Sequence, residues 1–347
     1  MFPKHAPLAS ALTRRDFLKI SGYSLTSLLL LPFQRPKTNS TGLQGRVIEP
    51  HLIVYDLPSF TGKEVKVFWQ DNIIPISEVT IGDDKPAYNR IWYRIGEEGY
   101  AHSGTVQPVR TLINQPNPNI PAEGCLAEVT VPYTDAFWGP GMKHDVAYRF
   151  YYETTCWVTG LVQDEQGVFW YVVLEDKWDY TLYMMATHLK LIPANELTLL
   201  SPDLPANAKR LEVRLSDQAL IAYEWEKPVF MARVATGARF SDGNHETPRG
   251  RYMTFHKRPS RHMAAGDLAS NGYDLPGVPW VSYFTKEGMS LHGTFWHNDF
   301  GKPRSHGCIN LTPKAARWVY RWTVPTVPAN EQKIYDKYLY GTILDIV

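Results

Sequence analysis

The residues best suited to chemistry lie in two short runs near the end of the chain. The run RSHGCIN at 304–310 places Cys308 between a glycine and an apolar residue, and His292 stands sixteen positions earlier. A thiol with an ordinary pKa of about 8.5 is a poor nucleophile at neutral pH, but a neighbouring imidazole lowers that pKa. Gly307 leaves room for a substrate and permits backbone angles that direct N–H groups at an oxyanion. This pattern predicts acyl transfer to a cysteine, with a histidine as the base.

The two runs are similar to the signature of the L,D-transpeptidase catalytic domain. His-Gly-Thr at 292–294 is followed by Ser-His-Gly-Cys-Ile-Asn at 305–310, and Thr-Pro-Arg-Gly at 247–250 matches a turn common in that family. The resemblance covers about residues 209–347. It implies that Cys308 is the nucleophile and His292 is the base.

The resemblance also implies accessory residues around that pair. The carbonyl of Gly293 is expected to fix the tautomer of the base. Ser305, His306 and Gly307 are expected to support the nucleophile. Asn310 is expected to contact the substrate or to brace the cysteine turn. Tyr283 and Trp296 are expected to bind substrate because they are aromatic and near the site, and packing is the alternative role for each.

The implied reaction is the cross-linking of peptidoglycan in two acyl transfers. The thiol attacks the carbonyl of a bond between a diamino acid and D-alanine in a stem tetrapeptide, which releases D-alanine and leaves a thioester. An amine of a neighbouring stem peptide then takes the acyl group. Water in its place would make the enzyme an L,D-carboxypeptidase, and the sequence leaves this choice open. The expected partner is therefore a peptidoglycan stem peptide, and no cofactor is expected.

Three other interpretations compete with this one. One alternative is a zinc site, because four residues of types that bind zinc lie close together in the sequence: His292, His297, His306 and Cys308. No HExxH or paired CxxC motif accompanies them, so no metal is expected. A non-catalytic adaptor of the cell envelope explains a modular chain, but not a free thiol beside two histidines. A papain-like wall hydrolase would place its cysteine before its histidine, which is the reverse of the order here.

The catalytic residues need a scaffold, which we predict over 201–347. A turn-rich linker at 201–207 precedes alternating apolar and polar residues, which predict an antiparallel meander with one buried face, and a last strand over 341–347. Thr312 and Pro313 are typical of a helix start. The predicted buried face of that helix holds Ala315, Trp318, Val319 and Trp322. The resemblance implies a β-sandwich or barrel with this one short helix.

Two smaller β units are predicted before the catalytic domain, over 45–110 and 111–200. Short apolar runs with a period near two alternate with polar turns in both. Trp92-Tyr93 and Trp170-Tyr171 stand 78 positions apart, which indicates a repeat. Both units are similar to bacterial SH3-like barrels, and we expect these aromatic residues to fill their cores. The predicted fold class is therefore mainly β.

Residues 1–44 are predicted to form an export signal and a linker. Arg14 and Arg15 precede a moderately apolar run at 20–33, which is shorter than the roughly 20 residues of a membrane-spanning helix. The pair resembles a twin-arginine signal. A retained membrane anchor is the alternative, since no Ala-x-Ala cleavage site follows. The expected location is the cell envelope, in the periplasm or the cell wall.

Composition and cysteine content fit an exported, folded protein. The chain has 347 residues, a formal net charge of +1 and 44% hydrophobic residues, which argues against disorder and against a nucleic-acid partner. Cys125 and Cys156 lie in the same predicted unit. A disulfide between them is one hypothesis, and a pair of buried unpaired thiols is the other.

Overall fold

The computed structural model describes residues 42–266, 272–338 and 340–347. This part of the chain is mainly β and contains one α-helix, of ten residues, so the predicted fold class is confirmed at that level. Positions 1–41 of the predicted export signal lie outside the described residues. No helix among the described residues combines the length and apolar character needed to span a bilayer.

The first sheet has seven strands and is built from residues 44–109. Its strands pair in the order β3-β2-β6-β5-β4-β1-β7, which leaves β3 and β7 as its ends. The strands are β1 (Gln44–Val47), β2 (His51–Tyr55), β3 (Glu64–Trp69), β4 (Ile73–Ile81), β5 (Ile91–Ile95), β6 (Gly99–His102) and β7 (Val106–Val109).

The second sheet also has seven strands and is built from residues 125–191. Its order, β10-β9-β13-β12-β11-β8-β14, is that of the first sheet with every strand shifted by seven, and it too is open at its ends. The strands are β8 (Cys125–Val129), β9 (Tyr133–Phe137), β10 (Val146–Tyr151), β11 (Thr155–Gln163), β12 (Phe169–Leu174), β13 (Thr181–Met185) and β14 (Leu189–Leu191).

The repeated strand order explains the repeated Trp-Tyr pairs. Trp92 and Trp170 are each the second residue of the corresponding strands β5 and β12, and both side chains are buried with the tyrosine that follows. Equivalent positions on equivalent strands of two sheets with the same strand order both face the core of their sheet. The prediction that these aromatic residues fill cores is therefore confirmed, whereas the SH3-like identity of the two units stays a prediction.

The remaining strands form two five-stranded sheets and one short hairpin. The third sheet has the order β17-β16-β15-β26-β20, and the fourth has the order β24-β23-β22-β21-β25. The strands are β15 (Lys209–Arg214), β16 (Ala219–Glu224), β17 (Lys227–Arg233), β18 (Arg239–Phe240), β19 (Gly243–Asn244), β20 (Gly250–Met253), β21 (His256–Ala265), β22 (Tyr273–Tyr283), β23 (Ser290–Gly293), β24 (Ile309–Leu311), β25 (Ile334–Tyr335) and β26 (Ile343–Ile346).

Helix α1 (Pro313–Trp322) begins where the sequence predicts. The Thr312 hydroxyl accepts a hydrogen bond from Ala315 N at 3.3 Å, which caps the first turn. Its buried face is broader than predicted, because Ala316 and Tyr320 are buried with Val319 and Trp322. Ala315 and Trp318 are half-buried, and Trp318 stacks on Phe230 of β17 with ring centroids 4.0 Å apart. Single-turn 3-10 helices lie at Ser103–Thr105, Ala186–His188, Ala194–Glu196 and Ala206–Ala208.

One apolar core holds the third sheet, the fourth sheet and α1 together. Leu211 and Val213 of β15 share it with Leu291 of β23 and Ile309 of β24. Trp157 of β11 belongs to the same core, so the second sheet packs directly against this two-layer unit. Strands β23 and β24, which carry the candidate catalytic residues, are thus packed in a core shared with the third sheet, α1 and the second sheet.

The cysteines of the second sheet are unpaired in the structure. Cys125 on β8 lies opposite Val158 of β11, whereas Cys156 lies opposite Ala127, so the two thiols are not directly across from each other. Both are free, and Cys156 is buried. The disulfide hypothesis is therefore not supported, and the alternative of two unpaired thiols inside the sheet describes them. Burial raises the pKa of the Cys125 thiol above its ordinary value, which makes it an inert residue.

Candidate active site

The parallel pairing of β23 and β24 brings the two predicted catalytic residues to one place. His292 of β23 lies opposite Asn310 of β24, and Cys308 immediately precedes β24. Alternate residues of a strand share a face, so Ser290 and His292 face the same way as Cys308 and Asn310. The hydroxyl of Ser290 lies 3.7 Å from Cys308 Sγ. The thiol and the imidazole therefore occupy one side of one strand pair.

The His292 ring is held in a defined tautomer. It is 2% exposed, and its Nδ1 lies 3.0 Å from the carbonyl oxygen of Gly293. A carbonyl only accepts hydrogen bonds, so Nδ1 carries the proton of the neutral ring and Nε2 carries the free lone pair. That lone pair is available to take a proton from a nucleophile.

The Cys308 thiol is prepared to ionise. Burial alone would raise its pKa, but a hydrogen bond and the charge of His292, with further hydrogen bonds from Ser290, lower the pKa below its ordinary value. A lower pKa increases the thiolate fraction at neutral pH. Cys308 is half-buried and lines a cavity of about 320 Å³, so the sulfur is accessible to a ligand of peptide size.

The turn before Cys308 requires its glycine. Gly307 has a φ of +106°, and a Cβ there would lie 3.1 Å from Met289. The Thr247 hydroxyl donates to the Gly307 carbonyl at 2.9 Å, and the Ser305 hydroxyl donates to the Cys308 carbonyl at 2.5 Å. Within the described part of the chain, the N–H groups of Gly307 and Cys308 have no hydrogen-bond acceptor. The turn thus directs its carbonyls inward and leaves its N–H groups free for an oxyanion.

The cavity contains most, but not all, of the predicted site residues. Trp296 lines it, with its ring centroid 5.6 Å from that of His292. Tyr283 is not among the lining residues: it lies at the end of β22, opposite Ser290, and stacks on His256 with centroids 4.7 Å apart. Its part in substrate binding stays a prediction. The cavity is lined by Phe240, Met263, Gly272, Tyr273, Leu275, His292, Trp296, Arg304, Ser305, His306, Cys308 and Asn310.

Asn310 is bonded to a buried histidine behind the cavity. Burial lowers the pKa of His297 to about 3, so its ring is neutral. Its Nδ1 accepts from Asp299 N at 3.3 Å, which puts the ring proton on Nε2, and Nε2 lies 3.0 Å from the Asn310 side-chain amide. A protonated Nε2 needs the amide oxygen as its acceptor. The other end of the Asn310 amide is buried and has no hydrogen-bond partner among the residues that the structure describes.

The part of the chain that holds this site is similar to a known catalytic domain. Residues 208–331 match YkuD, the L,D-transpeptidase catalytic domain. The matched residues, here called the YkuD segment, contain His292, Cys308 and all of α1. The family resemblance predicted from the sequence is therefore confirmed for this segment. Both seven-stranded sheets lie before it.

Solved L,D-transpeptidases match parts of this chain at low identity and low TM-score. A mutant Enterococcus faecium L,D-transpeptidase gives a TM-score of 0.31 at 18% identity, over 42% of this chain and 51% of that chain. An L,D-transpeptidase from Mycobacterium smegmatis gives 0.33 at 15% identity, over 54% and 98%. L,D-transpeptidase 3 from Mycobacterium tuberculosis gives 0.32 at 16% identity, over 50% and 77%. This chain thus spans about half the length of the E. faecium enzyme. No curated protein matches.

The loop that connects His292 to Ser305 in the YkuD segment is bonded to the first sheet. Its Asp299 is 4% exposed and accepts hydrogen bonds from Tyr88 Oη at 3.1 Å and from Asn89 Nδ2 at 3.3 Å. The same carboxylate pairs with Lys302 and Arg304, each at 2.9 Å. Burial would raise the pKa of Asp299, but these two cations hold it below its ordinary value. The loop is therefore bonded on one side to the first sheet and on the other to the cavity wall at Arg304.

A second connection runs through Arg46 of β1. Its side chain is 2% exposed, pairs with Asp71 at 2.8 Å and donates to the Phe295 carbonyl at 2.7 Å. The guanidinium also lies over the ring of Tyr151, 3.9 Å from its centroid. One arginine therefore contacts the first sheet, the second sheet and the residue next to Trp296.

The histidines considered as zinc ligands in the sequence are not gathered into one site. His292 and His297 each use a ring nitrogen in hydrogen bonds within the YkuD segment, at 3.0 Å and 3.3 Å respectively. The His306 ring stacks on Phe240 at the cavity wall, with centroids 4.5 Å apart. Among the described residues, the set with metal-binding spacing is Asp242, His245 and His306.

Sequence reasoning missed several residues that border the thiol. Ser290 shares the face of His292 on β23, and the period of two would have found it. Thr247 belongs to the Thr-Pro-Arg-Gly turn, but its bond to Gly307 joins positions 60 apart. Tyr273 and Arg304 line the cavity, and for Tyr273 no local motif signals this position.

Proposed function

We propose that this chain is a cysteine-dependent L,D-transpeptidase that cross-links peptidoglycan stem peptides in the cell envelope. One observation supports the proposal most strongly. Cys308, with a lowered pKa, lies in an accessible cavity together with His292, whose Nδ1 is bonded to the Gly293 carbonyl. The YkuD match over 208–331 supplies the class of reaction.

The first acyl transfer uses the thiol as nucleophile. His292 Nε2 accepts the thiol proton as Cys308 Sγ attacks the carbonyl carbon between the diamino acid and D-alanine. The negative charge on the carbonyl oxygen is stabilised by the free N–H groups of Gly307 and Cys308. The C–N bond then breaks, His292 returns the proton to the leaving amine, and D-alanine departs. A thioester on Cys308 remains.

The second transfer regenerates the thiol. An amine from a neighbouring stem peptide attacks the thioester carbonyl, His292 takes a proton from that amine, and the thiolate leaves. Trp296 borders the cavity beside His292, where an apolar indole excludes water from the thioester. We assign Asn310, which lines the cavity, a contact with the substrate. With water as the acceptor, the same steps give an L,D-carboxypeptidase.

The test is a product analysis with a disaccharide tetrapeptide as the only substrate. We expect release of D-alanine together with a cross-linked dimer, and no turnover by Cys308→Ala. His292→Ala is expected to be nearly as damaging, since the base and the nucleophile act as a unit. Cys125→Ala is the matched control, because that thiol is also half-buried but lies outside the cavity on β8.

Each other outcome has a defined meaning. Release of D-alanine without a dimer would replace the transferase proposal with a carboxypeptidase. Full activity of Cys308→Ala would contradict the mechanism. Specific binding of peptidoglycan without any turnover would favour the non-catalytic adaptor.

A further inference from the structure

A small hairpin brings three metal-ligating side chains to the rim of the Cys308 cavity. Strands β18 and β19 are joined by a turn that carries Asp242, and His245 directly follows β19. Their side chains meet that of His306, from the Cys308 turn. The ligand atoms of the three residues all lie within 4.8 Å of one another.

The spacing of the first two ligands fits a shared ion better than a direct hydrogen bond. His245 Nε2 lies 3.4 Å from Asp242 Oδ2, beyond the usual 2.7–3.2 Å of a nitrogen–oxygen hydrogen bond. Tetrahedral zinc with bonds of about 2.1 Å separates its ligand atoms by about 3.4 Å. The atom His245 Nε2 is buried and has no hydrogen-bond partner among the residues that the structure describes. A buried nitrogen of this kind lacks the partner that an ion would supply.

The third ligand is held within reach by aromatic packing. The His306 ring stacks on Phe240, with centroids 4.5 Å apart and planes 13° apart, and its centroid lies 4.6 Å from that of His245. His306 is exposed and its ligand atom lies within 4.8 Å of those of Asp242 and His245, so a small rotation of the side chain closes a tetrahedral site. Phe240 and His306 both line the cavity.

We propose that Asp242, His245 and His306 bind a divalent transition-metal ion of the zinc type at the rim of the Cys308 cavity. Two imidazoles and one carboxylate are a ligand set that zinc accepts, and they leave one coordination position open. A bound ion joins the β18–β19 hairpin to the Cys308 turn and fixes the residues at the entrance. It takes no part in the thiol chemistry proposed above, so the site does not depend on that chemistry.

The test is a Zn²⁺ titration followed by calorimetry in the Cys308→Ala background, which removes the thiol as a ligand. We expect one bound Zn²⁺ per chain and a rise in the unfolding temperature with added Zn²⁺. Adding His245→Ala should weaken binding about tenfold or more and abolish the rise in temperature. Asp242→Asn changes an exposed turn residue and should also weaken binding. His51→Ala removes an exposed imidazole on β2 and should leave binding unchanged.

Two results would overturn the proposal. Equal Zn²⁺ affinity with and without His245 or Asp242 would place the ion elsewhere. Zn²⁺ binding by the wild-type chain that disappears in Cys308→Ala would assign the ion to the catalytic thiol. Neither readout measures turnover, so failure of this proposal and failure of the transpeptidase proposal are separate outcomes.

Discussion

Replacing Asp299 with asparagine is expected to loosen the loop between His292 and Cys308, the proposed catalytic residues. The substitution keeps the shape of the side chain and removes its charge. An ionic hydrogen bond to Arg304, which is 28% exposed, is worth about 2 kcal/mol, whereas the pair with the 41% exposed Lys302 is worth less than about 1 kcal/mol. The new amide NH₂ also faces a donor, either Asn89 or Tyr88. We therefore expect the free energy of unfolding to fall by about 3 kcal/mol.

The same substitution is expected to slow chemistry at Cys308. Arg304 lines the cavity next to Ser305, and Asp299 fixes it at 2.9 Å. A catalytic group displaced by about 1 Å costs about a hundredfold in rate, so we expect acylation of Cys308 by a carbapenem to slow by about ten- to a hundredfold. Equilibrium unfolding in urea gives the free energy of unfolding. Intact-mass spectrometry of quenched single-turnover reactions gives the acylation rate.

Glu49→Gln is the matched control for this experiment. Glu49 is the other carboxylate that contacts Arg304, at 3.5 Å, but it is 40% exposed, so its loss should cost less than about 1 kcal/mol. Acylation by Glu49→Gln should match the wild type. If Asp299→Asn were as stable and as rapidly acylated as Glu49→Gln, the first sheet would have no part in positioning the catalytic loop.

Three further predictions follow from the same contacts. Arg46→Met should lower the free energy of unfolding in urea by about 2 kcal/mol, because Asp71 Oδ1 and the Phe295 carbonyl lose their donor while Arg149 still pairs with Asp71 Oδ2; a loss below about 1 kcal/mol would show that the pair is not important for folding. Gly307→Ala should cost about 2 kcal/mol, since φ is +106°, and should slow carbapenem acylation more than tenfold, whereas unchanged acylation would mean that the turn geometry is dispensable. The difference in free energy of unfolding between wild type and Asp299→Asn should be constant from about pH 7 to pH 5 and shrink below about pH 4. A carboxylate whose pKa is lowered in the fold stabilises the fold above its unfolded pKa, and it loses that effect as acid protonates it. A difference that grows in acid would contradict the ion-pair assignment.

The sequence predicts those features that depend on short spacings. The cap at Thr312 and the start of α1 follow from two adjacent residues, and the repeat follows from Trp92 and Trp170, which occupy the same strand position in two sheets of the same order. The candidate catalytic pair, His292 and Cys308, is indicated by motifs at 292–294 and 305–310. Each of these is indicated by motifs of a few consecutive residues, whatever the distance between one motif and the next.

Features that depend on packing between distant elements could not be predicted. Asp299 and Asn89 are 210 positions apart, and nothing near either residue shows that a carboxylate and an amide will meet. Tyr283 stacks on His256, 27 positions earlier, and no local motif indicates that contact. Ala316 is buried where Ala315 was expected, because α1 packs against the core of two sheets and not against a single face.

The most direct test of the central claim is the mass of the enzyme during one turnover. A rapid-quench reaction with a disaccharide tetrapeptide, stopped in acid and analysed by intact-mass spectrometry and peptide mapping, should show an acyl group on Cys308 after loss of D-alanine. Cys308→Ala should show no adduct and no release of D-alanine. An adduct on another residue, or a cross-linked product formed by Cys308→Ala, would contradict the assignment of Cys308 as the nucleophile.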